Sequence, residues 1–421
     1  MTGGSIALPP GATFREETLR EPGEAIAAYL RCVEIAPPGL QFVALGAAAG
    51  RVLAQAIVSP RAHPARARAT VDGFAIRAAG PGVRRVAGEW GADPLSRCSL
   101  GAGEALRVAT RGVLPAGADA VVALEDAEPS GDEIRVPPGL RAGDGVTAAG
   151  ADIAWGETLL EAGRRIGAAE LAVLATLGTI DVPVCRRPLV AVISTGDEPV
   201  DCADSPHGAR VRDPKRDAVG AILASLGCRP VHVAGGPRDE ASLGQAIRGA
   251  LAAADAVVVI GGTSVGERDV TARAIDALGA PGVVVHGLRV KPGKPTVLGA
   301  VAGKPVIGLP GNPASALMIA EAVVAPVFTR LAGAAPCPQA LYEAVAACDF
   351  IGRDGWTWFV PARLEVTPAG LFASPLPLRS AHASLLARAH GYVILPETRA
   401  RVSAGRPVSV RPFASGMRAL A

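Results

Sequence analysis

Apolar residues recur along the chain with two different periods, and the changes of period divide it into regions. A spacing of three to four residues predicts helices over 24–34 and 168–177. Between them, short apolar runs are broken by Gly, Pro and Asp, which is typical of short strands joined by turns. We therefore expect a discontinuous helical linking domain over 15–62 and 150–185, interrupted by a β-rich insertion domain over 63–149.

After Arg187 the pattern changes to continuous apolar runs that alternate with amphipathic stretches. Further strands are expected over 282–285 and 306–309, and a further helix over 314–331. Continuous apolar strands alternating with helices indicate a parallel-type sheet that is covered on both faces. The pattern thus predicts a central three-layer α/β domain over 186–335.

The last part of the chain returns to short apolar runs. Pro336 and Pro338 mark a linker, and only one helix-like stretch, over 381–389, follows it. This pattern predicts a C-terminal β-barrel domain over 336–421. The fold class expected for the whole chain is therefore multidomain α/β.

The composition argues against several classes of protein. The chain has 421 residues, of which 49% are hydrophobic and 19% charged, with 42 Lys and Arg against 39 Asp and Glu. This balance shows no basic footprint for nucleic acid, and no uninterrupted apolar run approaches the roughly 20 residues of a membrane span. The first 20 residues lack the basic and apolar regions of a secretion signal, so we expect a cytoplasmic protein.

Cysteine usage agrees with that compartment. The seven cysteines are widely spaced and include no CxxC pair, which argues against a zinc or redox site. We predict that they are reduced thiols.

Ligands of open α/β sheets bind beyond the carboxyl ends of the strands, so the loops there are candidates for chemistry. The loop STGDE, over 194–198, has a glycine for close backbone approach and two carboxylates able to hold a divalent cation or orient a water. A helix cap or turn explains it equally well.

The loop GGTSVGERD, over 261–269, precedes a predicted helix, so its N–H groups favour phosphate. It matches no standard nucleotide motif, and an ordinary connecting turn is the alternative.

Two further loops are stiffened by proline. KPGKP, over 291–295, places Lys291 and Lys294 where both ammonium groups can face one oxyanion at low entropic cost. The chain has only two other lysines, Lys215 and Lys304, so solvated surface charge is a weaker explanation.

GLPGNP, over 308–313, joins a strand to a helix and suits either ligand positioning or a plain helix start.

Taken in this order, STGDE, GGTSVGERD, KPGKP and GLPGNP resemble the MoeA family, the molybdopterin molybdenumtransferases related to the E domain of gephyrin. The similarity extends upstream to VDGFA over 71–75, which resembles the family's MDGYA, and to segments over 110–121 and 150–152. It spans about residues 20 to 400, which is nearly the whole chain.

The resemblance implies a four-domain, elongated homodimer whose cleft combines the α/β domain of one subunit with the β-domain of its partner. It implies a transferase that takes adenylylated molybdopterin and molybdate, breaks the adenylate linkage with Mg²⁺ or another divalent cation, releases AMP and places molybdenum on the dithiolene. A molybdopterin adenylyltransferase and recipient molybdoenzymes would be further partners. Neither nucleic acid nor a membrane is implied.

The resemblance also assigns roles to individual residues. Catalytic roles are expected for Asp197, Glu198, Asp269, Lys291, Lys294, Asp72 and Asp152. Cofactor or substrate binding is expected for Thr195, Gly196, Gly261, Gly262, Ser264, Gly266, Pro310, Gly311, Asn312, Pro313, Thr110, Ser315 and Arg363, with Ser380 or Ser384 beside the last. Metal binding is expected for Asp197, Glu198, Asp269 and Asp239. Asp72, Thr110 and Asp152 would reach the cleft from the other subunit, and turn or cap chemistry is the alternative for them and for Asp239.

The chain departs from the family pattern mainly around the rim of the expected cleft. The departures are Ala69, Val71, Thr147, Pro214, Lys215, Gly287 and His390. They motivate a second hypothesis, a protein that binds or delivers molybdopterin or the finished cofactor with weak or no insertase activity. A third hypothesis, a nucleotide hydrolase with a similar α/β domain, is disfavoured by the β-rich insertion and the C-terminal barrel.

Overall fold

The structure is a computed structural model that divides into two compact units. It describes residues 18–78, 80, 82–90, 99–195, 199–200, 211–233, 239–263, 269–338, 340–377 and 383–413. The first unit comprises 1–54, 163–167 and 181–421, and the second comprises 55–162 and 168–180. The four predicted domains divide the chain more finely, and their boundaries stay predictions.

The elements are numbered in chain order. The helices are α1 Pro22–Cys32, α2 Ala168–Leu177, α3 Lys215–Ser225, α4 Glu240–Ala253, α5 Val270–Asp276, α6 Pro313–Ile319, α7 Ala325–Leu331 and α8 Ala383–Ala387. The strands are β1 Leu40–Ala44, β2 Ile57–Val58, β3 Arg68–Ala69, β4 Gly73–Ile76, β5 Gly82–Glu89, β6 Glu104–Val108, β7 Ala120–Ala123, β8 Glu128–Ser130, β9 Glu133–Val136, β10 Val146–Thr147, β11 Thr158–Leu160, β12 Asp181–Cys185, β13 Leu189–Ser194, β14 Pro199–Val200, β15 Val211–Arg212, β16 Arg229–Val233, β17 Ala256–Ile260, β18 Pro281–His286, β19 Val290–Lys291, β20 Val297–Val301, β21 Lys304–Leu309, β22 Tyr342–Ala346, β23 Phe350–Ile351, β24 Thr357–Thr367, β25 Gly370–Pro375, β26 Gly391–Leu395, β27 Arg401–Val402 and β28 Pro407–Pro412.

A six-stranded sheet in the order β16-β13-β17-β21-β20-β18 forms the centre of the first unit. The first four strands are parallel, whereas β20 pairs antiparallel with both β21 and β18. The predicted strands over 282–285 and 306–309 are confirmed, but the parallel expectation is wrong for the last two strands. Ala302 and Gly303 join β20 to β21 with positive φ angles of 50° and 77°. A tight turn of this kind connects only antiparallel strands.

Alternate residues of the central strands face two different helical layers. On β17, Val258 and Ile260 belong to a core shared with α3, α6 and α7, and α1 packs against the same core. Val257 and Val259 belong to a second core shared with α4 and α5. Because both faces are covered, β17 is apolar at every position, and the predicted three-layer arrangement is confirmed.

The predicted helix over 314–331 is confirmed as one continuous segment. A π-helical stretch, Ala320–Val324, joins α6 to α7, and Pro313–Leu331 is long and apolar enough to cross a membrane. Polar residues such as Ser315 and Glu321 interrupt the segment, so it contains no long uninterrupted apolar run. However, 72% of its most apolar 18-residue window is buried inside the protein, as expected for the core helix of a folded domain.

The C-terminal part of the first unit is a closed β-barrel, as predicted. The strands follow the order β24-β25-β22-β28-β26, and β26 pairs back with β24 to close the barrel. Its interior contains Phe350, Val360, Leu364 and Val410. A further strand, β19, joins the outside of this sheet by pairing with β24.

The second unit contains the predicted β-rich insertion and α2. Its main sheet has the order β7-β4-β6-β5-β9-β8, with the pairs β3·β10 and β2·β11 beside it. The linking segments contain strands beside the predicted helices, since β2 and β11 pair there, and β1 and β12 pair in the first unit. These strands have two to five residues. Such lengths are too short for a clear alternation of apolar and polar positions.

The five cysteines in the described ranges are free thiols, which agrees with the prediction. Cys185 and Cys228 are buried. Burial raises the pKa of Cys228 to about 12, so this thiol stays protonated and unreactive near neutral pH.

One buried hydrogen bond ties α1 to β20 of the central sheet. The hydroxyl of Tyr29 is fully buried and donates to the carbonyl oxygen of Gly299 on β20, at 2.9 Å. Burial also raises the pKa of Tyr29 well above its usual value, so the hydroxyl remains a donor.

We expect Tyr29→Phe to lower the free energy of unfolding by about 1–2 kcal/mol, because it leaves the Gly299 carbonyl without its donor. Urea denaturation measures this change. Tyr342→Phe, on the partly exposed β22, is the matched control and should be close to neutral. Equal stabilities of the two variants would contradict the role given to Tyr29.

Candidate functional site

The loops that follow β13, β17 and β21 meet at the carboxyl edge of the sheet. The Thr195 N–H donates to Ile260 O, and the Gly261 N–H donates to Leu309 O, both at 3.0 Å. A Cβ on Gly261, where φ is +94°, would lie 2.7 Å from Thr195 Oγ1, and one on Gly311 would lie 3.5 Å from Gly261 Cα. The structure therefore brings Thr195, Gly261 and Gly311 together, as the sequence predicted for loops at this edge.

Packing of the second loop on itself also explains Gly262. The hydroxyl of Thr271 donates to Gly261 O at 3.0 Å, and a Cβ on Gly262, where φ is +64°, would lie 2.7 Å from Thr271 Oγ1. These contacts are what the connecting-turn alternative requires. Substrate binding by the two glycines stays a prediction.

The lysine loop is fixed to the barrel by a short parallel pairing. Val290 lies opposite Thr357, and Lys291 lies opposite Trp358. Gly293 has a φ of +114°, and the side chain of Ile319 leaves no room for a Cβ there. The barrel therefore holds one side of the loop, and α6 packs against the other.

A cavity of about 600 Å³ lies between this loop and the barrel. Its lining residues are Thr263, Val290, Lys291, Pro292, Gly293, Lys294, Pro295, Pro310, Gly311, Asn312, Ser315, Arg353, Trp356 and Trp358. Lys291, Lys294, Ser315 and the loop over 310–312 are therefore brought to one cavity. Pro313, also predicted, is the first residue of α6 and lies just outside this lining.

Sequence reasoning missed the aromatic wall of this cavity. Lys291 Nζ lies 5.3 Å from the ring centroid of Trp358, and Lys294 Nζ lies 5.6 Å from that of Trp356. Arg353 Cζ is 5.7 Å from the same Trp356 ring. Such cation–π contacts hold a positive group without neutralising it. The available signal was the WTW spacing at the start of β24, in a chain with only four tryptophans, because residues two positions apart in extended chain point to the same side.

Trp358 is positioned by its ring rather than by its N–H. Its Nε1 is buried and has no hydrogen-bond acceptor among the described residues. Its place opposite Lys291 follows from the register of β19 and β24.

Asp269 is a buried cap rather than an open carboxylate. Its side chain is 3% exposed, and Oδ1 accepts from Ala272 N at 2.9 Å at the start of α5. Oδ2 lies 2.7 Å from Nε2 of His286 on β18. Sequence reasoning missed His286, because nothing local links a strand residue to a cap 17 positions earlier. The catalytic and metal-binding roles expected for Asp269 stay predictions.

The described residues do not form a divalent-cation site. Asp239 is the cap of α4, where Oδ1 accepts from Ser242 N at 2.8 Å, and this hydrogen bond lowers the pKa of Asp239. Within the described ranges, no group of three or more His, Cys, Asp or Glu side chains is arranged to hold a metal ion. The magnesium requirement and the metal-binding roles expected for Asp197, Glu198, Asp269 and Asp239 therefore stay predictions.

Several predicted residues lie elsewhere or outside the described ranges. In the second unit, Asp72 Oδ1 accepts from Thr110 N at 2.8 Å, and Asp152 is exposed. Arg363 and Ser384 are exposed and do not line the cavity, where Arg353 stands instead. Gly196, Asp197, Glu198, Ser264, Gly266 and Ser380 lie outside the described ranges. The roles of all these residues stay predictions.

Three family models match nearly the whole chain. They are the MoeA N-terminal region (domain I and II) over 20–178, the probable molybdopterin binding domain over 191–330, and the MoeA C-terminal region (domain IV) over 343–413. A protein of Bacillus subtilis named molybdopterin molybdenumtransferase is 31% identical over 385 residues, which cover 88% of this chain and 89% of that protein. The chain belongs to the MoeA family.

Other MoeA relatives agree in sequence and in fold. A Haemophilus influenzae protein of the same name is 29% identical over 392 residues, covering 90% of this chain and 95% of that protein. The solved structure of a molybdopterin biosynthesis MoeA protein from Pyrococcus horikosii has 33% identity and a TM-score of 0.79, covering 94% of this chain and 99% of that one. The multidomain α/β fold is thus the MoeA fold.

One departure from the MoeA pattern forms a buried ion pair beside the site. Asp213 is buried, and its Oδ2 accepts from the Ser194 hydroxyl at 2.5 Å. Oδ1 accepts from Lys215 N at 2.9 Å and lies 3.4 Å from Lys215 Nζ. Burial alone would raise the pKa of Asp213, but these hydrogen bonds and the ammonium group hold that pKa below its usual value.

This shift predicts a pH dependence of stability. Because the folded-state pKa is lowered, the stabilisation is present above the unfolded-state pKa, about 3.9, and is lost as pH falls through the lower folded value. Asp213→Asn should therefore cost about 1–3 kcal/mol at pH 7 and progressively less below pH about 4. Urea denaturation across this pH range measures it. Parallel stability curves for the variant and the unaltered chain would contradict the assignment.

Proposed function

We propose that this protein is a cytoplasmic transferase of molybdenum cofactor biosynthesis that inserts molybdenum from molybdate into adenylylated molybdopterin and releases AMP. The single observation that carries the proposal is the cavity that gathers Lys291, Lys294 and Arg353 at the ligand-binding edge of the sheet in a MoeA-family chain. Both expected substrates are anions, and both lysines are held where one anion would touch them. An adenylyltransferase would supply the substrate, and molybdoenzymes would receive the product.

The chemistry expected of the cavity is charge neutralisation and positioning. Cleavage of a phosphoanhydride needs little covalent participation by the protein. Lys291 and Lys294 would bind the oxygens of molybdate, and the buried hydroxyl of Ser315, on α6, is a further donor at the same wall. The apolar faces of Trp356 and Trp358 flank these charges, and apolar surroundings strengthen the attraction of a charge for an anion.

The proposal includes a homodimer in which Asp72, Thr110 and Asp152 of one subunit reach the cleft of the other. Its support is the resemblance of those segments to the family pattern, together with the exposure of all three side chains. Sedimentation under native conditions should therefore give a dimer, and a monomer would contradict this part of the proposal.

The direct test mixes the purified protein with adenylylated molybdopterin, molybdate and Mg²⁺. AMP release is followed together with the reconstitution of a cofactor-free molybdoenzyme. Molybdate-dependent AMP release with reconstitution is the expected result. Tight binding of the substrate without AMP release would instead favour the binding and delivery function.

In that assay, Lys294→Ala should lower kcat/KM for molybdate about 10- to 100-fold, because a charged contact to the anion is lost. Lys304→Ala is the matched control. Lys304 Nζ donates to Leu251 O and Ala254 O at 2.6 and 2.9 Å, so its loss affects stability rather than the cavity. Thermal unfolding checks that both variants are folded. A normal kcat/KM for folded Lys294→Ala would contradict the assignment.

Trp358 should act as a positioning residue for Lys291. Trp358→Leu removes the cation–π contact and should raise KM for molybdate about three- to tenfold, with a smaller change in kcat. Trp358→Phe keeps an aromatic face and should restore most of the affinity. Equal KM values for the Leu and Phe variants would show that the ring fills space without holding the lysine.

A further inference from the structure

A second charged cavity lies at the other end of the strands of the central sheet. It has a volume of about 370 Å³ and is lined by Gln41, Arg51, Arg186, Arg187, Leu189 and Arg229. Leu189 and Arg229 are the paired first residues of the parallel strands β13 and β16. The cavity is therefore at the amino ends of the strands, whereas the lysine cavity lies beyond the carboxyl ends.

The charges around this arginine cavity do not balance. Arg186 pairs with Asp255, with 2.9 Å between Nη2 and Oδ1, and the other oxygen of Asp255 accepts from Leu189 N at 2.7 Å. In the part of the chain that the structure describes, Arg51, Arg187 and Arg229 form no ion pair. Four guanidinium groups against one carboxylate leave an excess of three positive charges (4 − 1 = 3).

One of these arginines is built into the protein interior. Arg51 is only 9% exposed, and its Nη2 donates to Gln41 Oε1 at 2.9 Å and to Cys185 O at 3.0 Å. Its Nε is buried without an acceptor among the described residues. Burial and the nearby charge of Arg187 lower the pKa of Arg51. A fixed, partly unsatisfied guanidinium facing further positive charges is costly unless an anion shares the cavity.

We propose that this arginine cavity binds an oxyanion of the phosphate class. Guanidinium groups form paired hydrogen bonds with tetrahedral oxyanions, and arginine keeps its charge even when buried. Arg51 provides the rigid base of the site, while the exposed Arg187, in the segment before β13, and the exposed Arg229, at the start of β16, close over the anion. The proposal does not depend on the transferase function, because the two cavities share no lining residue.

Isothermal titration of the full chain tests the proposal with inorganic phosphate, pyrophosphate and AMP as separate probes. Arg187→Ala/Arg229→Ala removes two exposed arginines from the cavity and should weaken binding about tenfold or more. Arg399→Ala/Arg406→Ala is the matched control, since it removes two exposed arginines of the barrel loops. Lys294→Ala should leave this binding unchanged, which separates it from anion binding in the lysine cavity.

Thermal unfolding gives a second readout, because the substitutions that weaken phosphate binding should not lower the stability of the free protein. Without phosphate, Arg187→Ala/Arg229→Ala should be at least as stable as the unaltered chain, because the repulsion on Arg51 is relieved. The rise of Tm with added phosphate should be lost in this variant and kept in the control. Tighter binding of phosphate than of AMP would identify the free anion as the ligand, and the reverse order would identify a nucleotide phosphate.

Three results would overturn the proposal. The first is the absence of binding by all three probes. The second is equal weakening in Arg187→Ala/Arg229→Ala and Arg399→Ala/Arg406→Ala, which would indicate non-specific charge screening. The third is loss of binding in Lys294→Ala alone, which would place the anion in the lysine cavity.

Discussion

The two-residue pairing of β19 with β24 is the contact on which the site depends. It joins the lysine loop of the α/β part to the barrel and sets Lys291 opposite Trp358. A backbone hydrogen bond from Thr357 N to Arg289 O, at 3.1 Å, continues this connection. Without it, the loop and the aromatic wall would be separate surfaces, and the cavity between them would lose one side.

The way in which the lysines are held suits the binding of an anion. An aromatic face attracts an ammonium group, yet it leaves the formal charge in place for a ligand. The resulting field is concentrated in a small, partly apolar cavity, where electrostatic attraction exceeds its value in bulk water. Arginines at the amino ends of the strands create a second positive region by different means, since there Arg51 is fixed by burial and by hydrogen bonds to the Gln41 side chain and the Cys185 carbonyl.

The parts of the fold that follow from local pattern were predictable from the sequence. β17 is fully apolar because both its faces are covered. The helix over 313–331 is recognisable as a long, mostly apolar stretch that follows a proline-containing loop. The antiparallel edge was missed, because β20 is distinguished by a turn at Ala302 and Gly303 that continuous apolar runs do not reveal.

In the site, local loops were predictable and long-range partners were not. The lysine and glycine loops are recognisable from their composition, and six of the predicted positions line one cavity. The pairing of Lys291 with Trp358 spans more than 60 residues and depends on a strand register, so no local pattern contains it. The same holds for His286, which reaches Asp269 only after β18 has joined the sheet.

A crystal structure of the protein with bound molybdate would show directly which cavity takes this anion. Anomalous scattering locates molybdenum without reference to the protein geometry. We expect a molybdenum position in the cavity between Lys291, Lys294 and Ser315, with the indoles of Trp356 and Trp358 behind the two lysines. Molybdate bound elsewhere, with this cavity containing only solvent, would contradict it.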